Sequence, residues 1–212
     1  MGLDYRNTKY DICLGDLKAK KAGIMAQIIY DHPRAKDMHT YISNNNLPYK
    51  TGFIKAYNGK CAYCGASIDI IPTSSFEIDH FVHEKSERFG GSKAAAGHIE
   101  NLVLACHNCN ASKKAVEIPD SAHEYLHPDN EATSETYIRD DQYYIQIADN
   151  RKNDESVATF YQQLKLGSEI HRLDYLLMNM IGLQRKIENS PVLYAELGKA
   201  IDTLRKKRNL MG

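Results

Sequence analysis

The fold of this chain is decided by three short stretches of sequence: CAYC (residues 61–64), FEIDHF (76–81) and NLVLACHNCN (101–110). The first and third each carry two cysteines separated by two residues, a spacing that lets both sulfurs reach one ion. Four thiolates complete the tetrahedron of a structural zinc site and leave no coordination position open for chemistry. The sequence therefore predicts Zn²⁺ bound by Cys61, Cys64, Cys106 and Cys109. A redox function of the C-x-x-C motifs and unrelated buried cysteines are the alternatives.

The segment between the two cysteine pairs predicts a strand, a loop and a second strand, with a helix to follow. Residues 75–81 alternate apolar and polar side chains, which is the period of a β-strand. Small residues over 89–97 predict a loop, residues 101–105 a short apolar strand, and residues 107–116 a helix. Asp79 and His80 are neighbours, and neighbours on an ideal strand point to opposite faces, so we expect a bulge or a strand end there.

Helical patterns flank this central segment on both sides. Helices are predicted over 16–30, 35–42 and 49–57 before it, and over 168–189 (with Ser168 as N-cap) and from Pro191 onward after it. Residues 137–139 and 143–147 predict a hairpin joined by Asp140 and Asp141. The expected fold class is α+β: a small zinc-stapled ββα core flanked by helical segments. The expected domains are 1–56, 57–118 and 119–212.

Composition is that of a folded globular protein without an overall basic character. Hydrophobic residues make up 42% and charged residues 25%, which excludes wholesale disorder, and Lys+Arg 27 against Asp+Glu 27 gives a net charge of +0. This balance counts mildly against a nucleic-acid binder, although affinity follows the local surface. Residues 120–155 are acidic, whereas residues 191–212 are basic, so the C-terminal tail is the better candidate for phosphate contact.

The cysteine content and the lack of long apolar runs indicate a cytoplasmic protein. No run approaches the roughly 20 apolar residues of a membrane span. Residues 1–6 lack the apolar core of a signal peptide and the Ser or Thr of a myristoylation motif. Four of the five cysteines lie in C-x-x-C pairs, which suits a reducing compartment. The fifth, Cys13, is expected to be a buried, inert thiol.

Residues 57–115 resemble the HNH endonucleases, a family built on a ββα-metal core. The resemblance is carried by four pieces in the family's order: residues 77–80, Gly90-Gly91, residues 100–102, and the run from Cys106 through Asn110 to Lys113. The third signature residue of the family is often His. Here Asn110 occupies that place, which makes this a His-Asn-Asn variant, and His107 does not match that position.

The chemistry of phosphodiester hydrolysis supports the same roles. His80 can act as the base, because imidazole with a reference pKa of about 6.5 is partly neutral at physiological pH. Asp79 and Asn110 offer hard oxygen ligands for a catalytic Mg²⁺ or Mn²⁺, which retains water and takes substrate oxygens. For Asn101 the resemblance alone implies a role, namely fixing the loop backbone and so orienting the base.

Other polar residues of the core have weaker assignments. Five cations are candidates for contact with backbone phosphates, although each singly is as readily an ordinary surface residue: Lys85, Arg88, Lys93, Lys113 and Lys114. His83 falls where many HNH relatives carry proline; it is interpreted as a solvated loop residue, with contact to phosphate or metal as the alternative. His123 and the run His127-Pro128-Asp129 are interpreted as a loop packed on the core and not as ligands.

The leading prediction is a metal-dependent HNH endonuclease that cuts DNA. The helical tail is similar in layout to small stand-alone HNH proteins of Septu-type anti-phage systems, and that resemblance implies an ATPase partner. Two alternatives stay open. One is a zinc module that binds nucleic acid without cutting it; the other is a subunit whose C-terminal helices dock a partner and whose nuclease is silent alone.

Overall fold

The computed structural model describes residues 4–10 and 16–211 and confirms the α+β class. In this part of the chain, helices dominate and two small antiparallel sheets of two strands each lie between them. Cys13 lies outside the described residues, so its predicted burial stays a prediction. Of the helices in the described ranges, none combines the length and the apolar character needed to cross a bilayer.

In the described residues, three α-helices precede the first strand, close to the predicted ranges. They are α1 (Leu17–Asp31), α2 (Met38–Ile42) and α3 (Tyr49–Ala56). α2 begins later than predicted because Asp37 caps it: the Asp37 carboxylate accepts a hydrogen bond from the backbone N–H of Thr40. α3 gives way to a turn at Asn58 and Gly59, both of which have positive φ (52° and 67°).

The centre of the molecule confirms the predicted order of strand, loop, strand and helix. Its elements are β1 (Phe76–His80), α4 (Lys93–Ala96), β2 (Leu102–Cys106) and α5 (His107–Lys113). β1 and β2 pair without a bulge, from Phe76 opposite Cys106 to His80 opposite Leu102. His80 is thus the last residue of β1, and the expected strand end is found. All of β2 is buried, which is why its sequence is uniformly apolar.

Two predictions for this region were wrong in detail. The predicted loop over 89–97 contains α4, a single helical turn in which the Ser92 hydroxyl accepts a hydrogen bond from the Ala95 N–H. α5 ends at Lys113 instead of residue 116, because Lys114 has a φ of 51° that no α-helix accommodates.

The part of the chain after residue 118 is mostly helical. It contains α6 (His123–Leu126), α7 (Thr133–Thr136), β3 (Tyr137–Arg139), β4 (Ile145–Ile147), α8 (Glu155–Gln163), α9 (Glu169–Lys186) and α10 (Pro191–Asn209). β3 and β4 form the predicted hairpin. Ser168 stands at the N-cap of α9 as predicted, but its hydroxyl makes no cap hydrogen bond. Pro191 opens α10 as predicted.

One main core reaches from the N-terminal helices through β1 and β2 to α8. The packing of α9 against α10 forms a second, smaller cluster around Leu177, Ile181 and Ile201. The candidate site lies in the main core, where the paired strands β1 and β2 have α5 on one side and α2 on the other.

Candidate active site and metal centre

The four predicted metal-binding cysteines lie together in the protein interior. Their sulfur atoms are all within 4.8 Å of one another. A tetrahedral ion with metal–sulfur bonds of about 2.3 Å places its sulfurs about 3.8 Å apart. The distance between Cys64 Sγ and Cys106 Sγ is 3.8 Å. The donor set therefore fits a tetrahedral thiolate centre, and the cysteines are positioned to bind a metal ion.

A tight turn holds the first cysteine pair in this position. The Cys61 N–H donates to the Ala66 carbonyl, and the Gly65 N–H donates to the Cys61 carbonyl, each at 2.9 Å. Gly65 has a φ of 79°, and a Cβ there would lie 2.6 Å from the Arg6 carbonyl oxygen, so only glycine fits. The second pair comes from the end of β2 and the first turn of α5. The turn at 61–64, the end of β2 and the start of α5 thus meet at the sulfur cluster.

Asp79 points toward α5 and is held there by two partners. Its Oδ2 accepts a hydrogen bond of 2.6 Å from the Tyr63 hydroxyl and lies 3.1 Å from Lys113 Nζ. The same ammonium donates to the His80 carbonyl at 2.8 Å. Burial raises the pKa of Asp79 above its usual value, although Lys113 and the Tyr63 hydroxyl oppose this.

Asn110 lies on the same side of β1, beside Glu77. Its amide donates to Glu77 Oε2, and His107 Nδ1 lies 2.7 Å from Glu77 Oε1. Partial burial tends to raise the pKa of Glu77, but the hydrogen bonds from His107 and Asn110 outweigh it and lower that pKa. Residues 77 and 79 are two apart on the strand, so both carboxylates face α5. This face therefore collects the oxygen atoms of Glu77, Asp79 and Asn110.

The His80 ring lies on the opposite face of β1, against α2. Its centroid is 4.3 Å from that of the His39 ring, with an angle of 32° between the planes. Burial, and next the electrostatic influence of His39, lowers the pKa of His80 to about 4. The imidazole is therefore neutral at pH 7. The structure places Asp79 and Asn110 on the α5 side of β1, where Asn110 contacts Glu77, and His80 on the α2 side.

Asn101 fastens the segment that directly follows His80. Its side chain accepts a hydrogen bond from the Val82 N–H and donates to the Val82 carbonyl, both at 2.9 Å, and it also donates to the Ala96 carbonyl at 2.8 Å. The Phe81 N–H donates to the backbone carbonyl of Asn101 at 2.7 Å. One asparagine thus ties the end of β1 to the C-terminus of α4 and the start of β2.

The five candidate phosphate contacts fall into different environments. Lys85, Lys93 and Lys114 are exposed. Arg88 is also exposed, but its guanidinium lies 3.2 Å from Asp120 Oδ1 and contacts the His123 ring. Lys113 is only 1% exposed, and its ammonium is engaged by Asp79 and the His80 carbonyl. Its side chain therefore lies in the interior and not on the surface where a phosphate contact was predicted.

Three further histidines of this region, His83, His123 and His127, contact neighbouring segments of the chain. His83 Nε2 is 2.5 Å from Glu117 Oε1, and its side chain is only 15% exposed, so the interpretation as a solvated residue was wrong. His123 and His127 both pack on the Phe81 ring, with centroid distances of 5.4 and 4.3 Å, so the expected packing on the core is found, although His123 begins α6 and does not lie in a loop.

Three residues at the site had no assigned role in the sequence prediction. Glu77 and Tyr63 carry a local signal, because Glu77 precedes Asp79 by one strand period and Tyr63 lies between Cys61 and Cys64. His39 carries none: it approaches His80 across 41 positions of sequence, and only the tertiary packing of α2 against β1 reveals it.

Comparison with known families gives a match over the segment of the chain that carries this site. Residues 61–115 match the family model described as HNH endonuclease, a range that begins at the first cysteine and ends just after α5. The chain therefore carries a domain of the HNH endonuclease family, as the sequence motifs predicted.

A second comparison gives a match to a curated relative. Over an aligned stretch of 73 residues, the chain is 34% identical to the Septu protein PtuB of Bacillus mycoides (strain KBAB4). The aligned stretch covers 31% of this chain and 24% of the relative. The chain thus spans about a quarter of the length of that relative. No solved structure matches the chain significantly.

Proposed function

We propose that the chain is a metal-dependent endonuclease that hydrolyses phosphodiester bonds of DNA. The observation that carries the proposal is the end of β1, where Asp79 faces α5, the helix that carries Cys109 and Asn110, and the next residue, His80, packs against α2. In the proposal, the four cysteines hold a structural Zn²⁺, Asp79 and Asn110 bind Mg²⁺ or Mn²⁺, and Asn101 positions the segment after His80.

The residues near Asp79 suit a hard divalent cation by their chemistry. Carboxylate and amide oxygens are the ligands that Mg²⁺ prefers, and Glu77, Asp79 and Asn110 supply both kinds from one face. The Lys113 ammonium already lies against Asp79, at 3.1 Å, so the divalent ion competes with a resident cation for this carboxylate. When bound, the metal ion would stabilise negative charge on the phosphate and its leaving group.

The protein residues supply the proton chemistry and the geometry. His80 is neutral at pH 7 because burial lowers its pKa to about 4, so its ring can accept a proton from an attacking water molecule. Asn101 holds the backbone at Val82, two residues further on, by two hydrogen bonds. We propose that this clamp limits the orientations open to His80.

The wider assignment rests on the Septu relative. We propose that the chain acts in anti-phage defence, in a reducing cytoplasm that keeps its zinc thiolates intact, and together with an ATPase partner. A docking role is favoured by α10, which leaves Val192, Leu193 and Leu210 at 76%, 58% and 88% exposure. If the isolated chain is silent, the mass of the native complex tests this role.

Plasmid cleavage by purified protein tests the nuclease proposal. With Mg²⁺ or Mn²⁺ the wild-type chain should nick or cut DNA, and EDTA should stop it. His80→Ala should lower the cleavage rate by about 10²–10⁴-fold, the usual contribution of a general base. Gln146→Ala is the control, since its exposed side chain lies on β4 beside Asp140 and outside the site, and it should leave the rate unchanged. Undiminished metal-dependent cleavage by His80→Ala would exclude His80 as the base. A wild-type chain that binds DNA but never cuts it would favour the non-catalytic module.

A further inference from the structure

His39 is the closest aromatic neighbour of His80 and comes from a different part of the chain. It lies in the first turn of α2, and the two ring centroids are 4.3 Å apart. This separation and the tilt of 32° bring the rings into contact over their faces. Within residues 4–10 and 16–211, no hydrogen bond reaches the His80 ring from another side chain. The contact with His39 therefore restrains the orientation of the His80 ring from the side of α2.

His39 is itself held in place. Its Nε2 lies 3.1 Å from the Ile78 carbonyl oxygen, and because a carbonyl only accepts, the ring carries its proton on Nε2. This bond joins His39 to β1 two residues before His80. One ring of α2 thus contacts the strand twice, through its edge at Ile78 and through its face at His80.

The helix that carries His39 is anchored to the rest of the site. Met38 and Ile42 are buried, and the Met38 N–H donates to the Gly97 carbonyl at 2.9 Å. The neighbouring carbonyl, that of Ala96, accepts from the Asn101 side chain. α2 and Asn101 therefore fasten to adjacent residues at the end of α4, and both act on the end of β1.

We propose that His39 is a positioning residue that fixes the His80 ring for proton transfer. The inference rests on the proposed function of His80 as base. A catalytic base is commonly oriented by a third group that hydrogen-bonds to it. Here a second imidazole does so by ring contact, and its own hydrogen bond to the Ile78 carbonyl sets the plane of that contact.

Single-turnover cleavage by the full chain, over a range of DNA concentrations, tests this role. His39→Ala should lower the rate at saturating DNA by about tenfold, because small losses of alignment are costly, and should leave the half-saturating DNA concentration within about twofold. His39→Phe keeps a ring against His80 and should recover most of the rate. Tyr143→Ala is the matched control: it removes another aromatic ring that packs on a neighbouring ring, that of Tyr175 at 5.6 Å, away from α2 and β1, and it should change neither quantity.

Rescue by free imidazole adds a test that a purely structural residue would not affect. In His80→Gly, added imidazole should restore part of the cleavage by occupying the vacated space beside His39. Adding His39→Ala to this variant should raise the half-saturating imidazole concentration several-fold, whereas adding His39→Phe should not. Equal rescue in all three backgrounds would overturn the proposal. A weaker affinity for DNA with an unchanged maximal rate in His39→Ala would also overturn it, since His39 would then contact substrate.

A nuclear magnetic resonance arm works even if the isolated chain does not cut DNA. The ring protons of His80, assigned by their loss in His80→Gly, should shift in His39→Ala because the neighbouring ring current is removed, and should shift less in His39→Phe. Unchanged His80 signals in His39→Ala would overturn the ring contact. If His80→Gly cleaves like the wild type, the proposed function fails, whereas normal cleavage by His39→Ala beside an inactive His80→Gly sinks only the role of His39.

Discussion

His127 depends on the neutral form of its ring. Its Nε2 lies 3.0 Å from the Glu100 carbonyl oxygen and therefore donates, while its Nδ1 accepts from the Asp129 N–H at 3.2 Å. Protonation would place a second N–H on Nδ1, against the Asp129 donor, and would charge a ring packed on Phe81. Burial lowers the pKa of His127 to about 4, against the opposing influence of the Asp129 carboxylate.

This titration should make stability depend on pH in a definite direction. The folded pKa of about 4 lies below the reference value of about 6.5, so the unfolded chain takes up the proton first as pH falls. The contribution of His127 is therefore full above about pH 6.5 and is lost on the way to pH 4. Urea unfolding with excess zinc should show that the wild type loses on the order of 1 kcal/mol more than His127→Gln between pH 7 and pH 5. If both proteins lost the same free energy of unfolding over this pH range, the predicted contribution of His127 would be contradicted.

At the scale of elements, the sequence predicts what local periodicity encodes. The alternation over 75–81 and the apolar run before Cys106 place β1 and β2 to within a residue, and Pro191 places the start of α10. α8 was missed although its sequence carries local signals: Asp154 caps it, and its buried side chains Val157 and Phe160 are three residues apart. The site shows the same division. The cysteine cluster follows from spacing, whereas the Lys113–Asp79 pair and the His39–His80 contact arise only when distant elements pack.

Three elements meet at the cysteine cluster. The 61–64 turn, the end of β2 and the first turn of α5 share the four sulfurs, and α9 approaches the same cluster. His171 of α9 is 3% exposed, and its Nε2 lies 4.0 Å from Cys109 Sγ. Removing the ion should therefore disturb β2 and α5 first and α9 with them.

We expect one zinc ion per chain in the wild type and its loss in Cys109→Ser. Structural zinc can contribute about 10 kcal/mol or more of apparent binding free energy, which is comparable to the whole free energy of unfolding of a small domain. Hydrogen exchange should therefore show residues 57–118 and α9 deprotected in Cys109→Ser. Cys13→Ser is the control, because Cys13 belongs to neither C-x-x-C pair of the sequence, and this variant should keep both zinc and protection. A zinc-free Cys109→Ser protein with wild-type exchange would mean that the sulfurs are merely buried neighbours.

At the scale of the whole molecule, one buried polar cluster joins the three predicted segments. Lys21 of α1 donates to the Leu102 carbonyl of β2 at 2.8 Å and pairs with Asp129 at 2.5 Å. The Tyr57 hydroxyl donates to the other Asp129 oxygen at 2.8 Å. The side chains of Lys21 and Asp129 are 5% and 4% exposed, so neither charge is solvated. The boundaries at 56 and 118 stay a prediction, but this cluster argues against independent unfolding of the segments.

Asp129→Ala should destabilise the entire chain, because it leaves the Lys21 ammonium buried without a counter-charge. The expected cost is about 3–5 kcal/mol, with fluorescence and circular dichroism still reporting a single shared transition. The double variant Lys21→Met with Asp129→Leu should regain much of that loss, since apolar pairs often replace buried ion pairs without cost. Lys199→Ala, which breaks an exposed pair with Glu196 (side chains 74% and 65% exposed), should change stability by less than about 1 kcal/mol. If Asp129→Ala costs no more than Lys199→Ala, the cluster is not what holds the segments together. Two separate transitions in the wild-type chain would mean that the segments unfold independently.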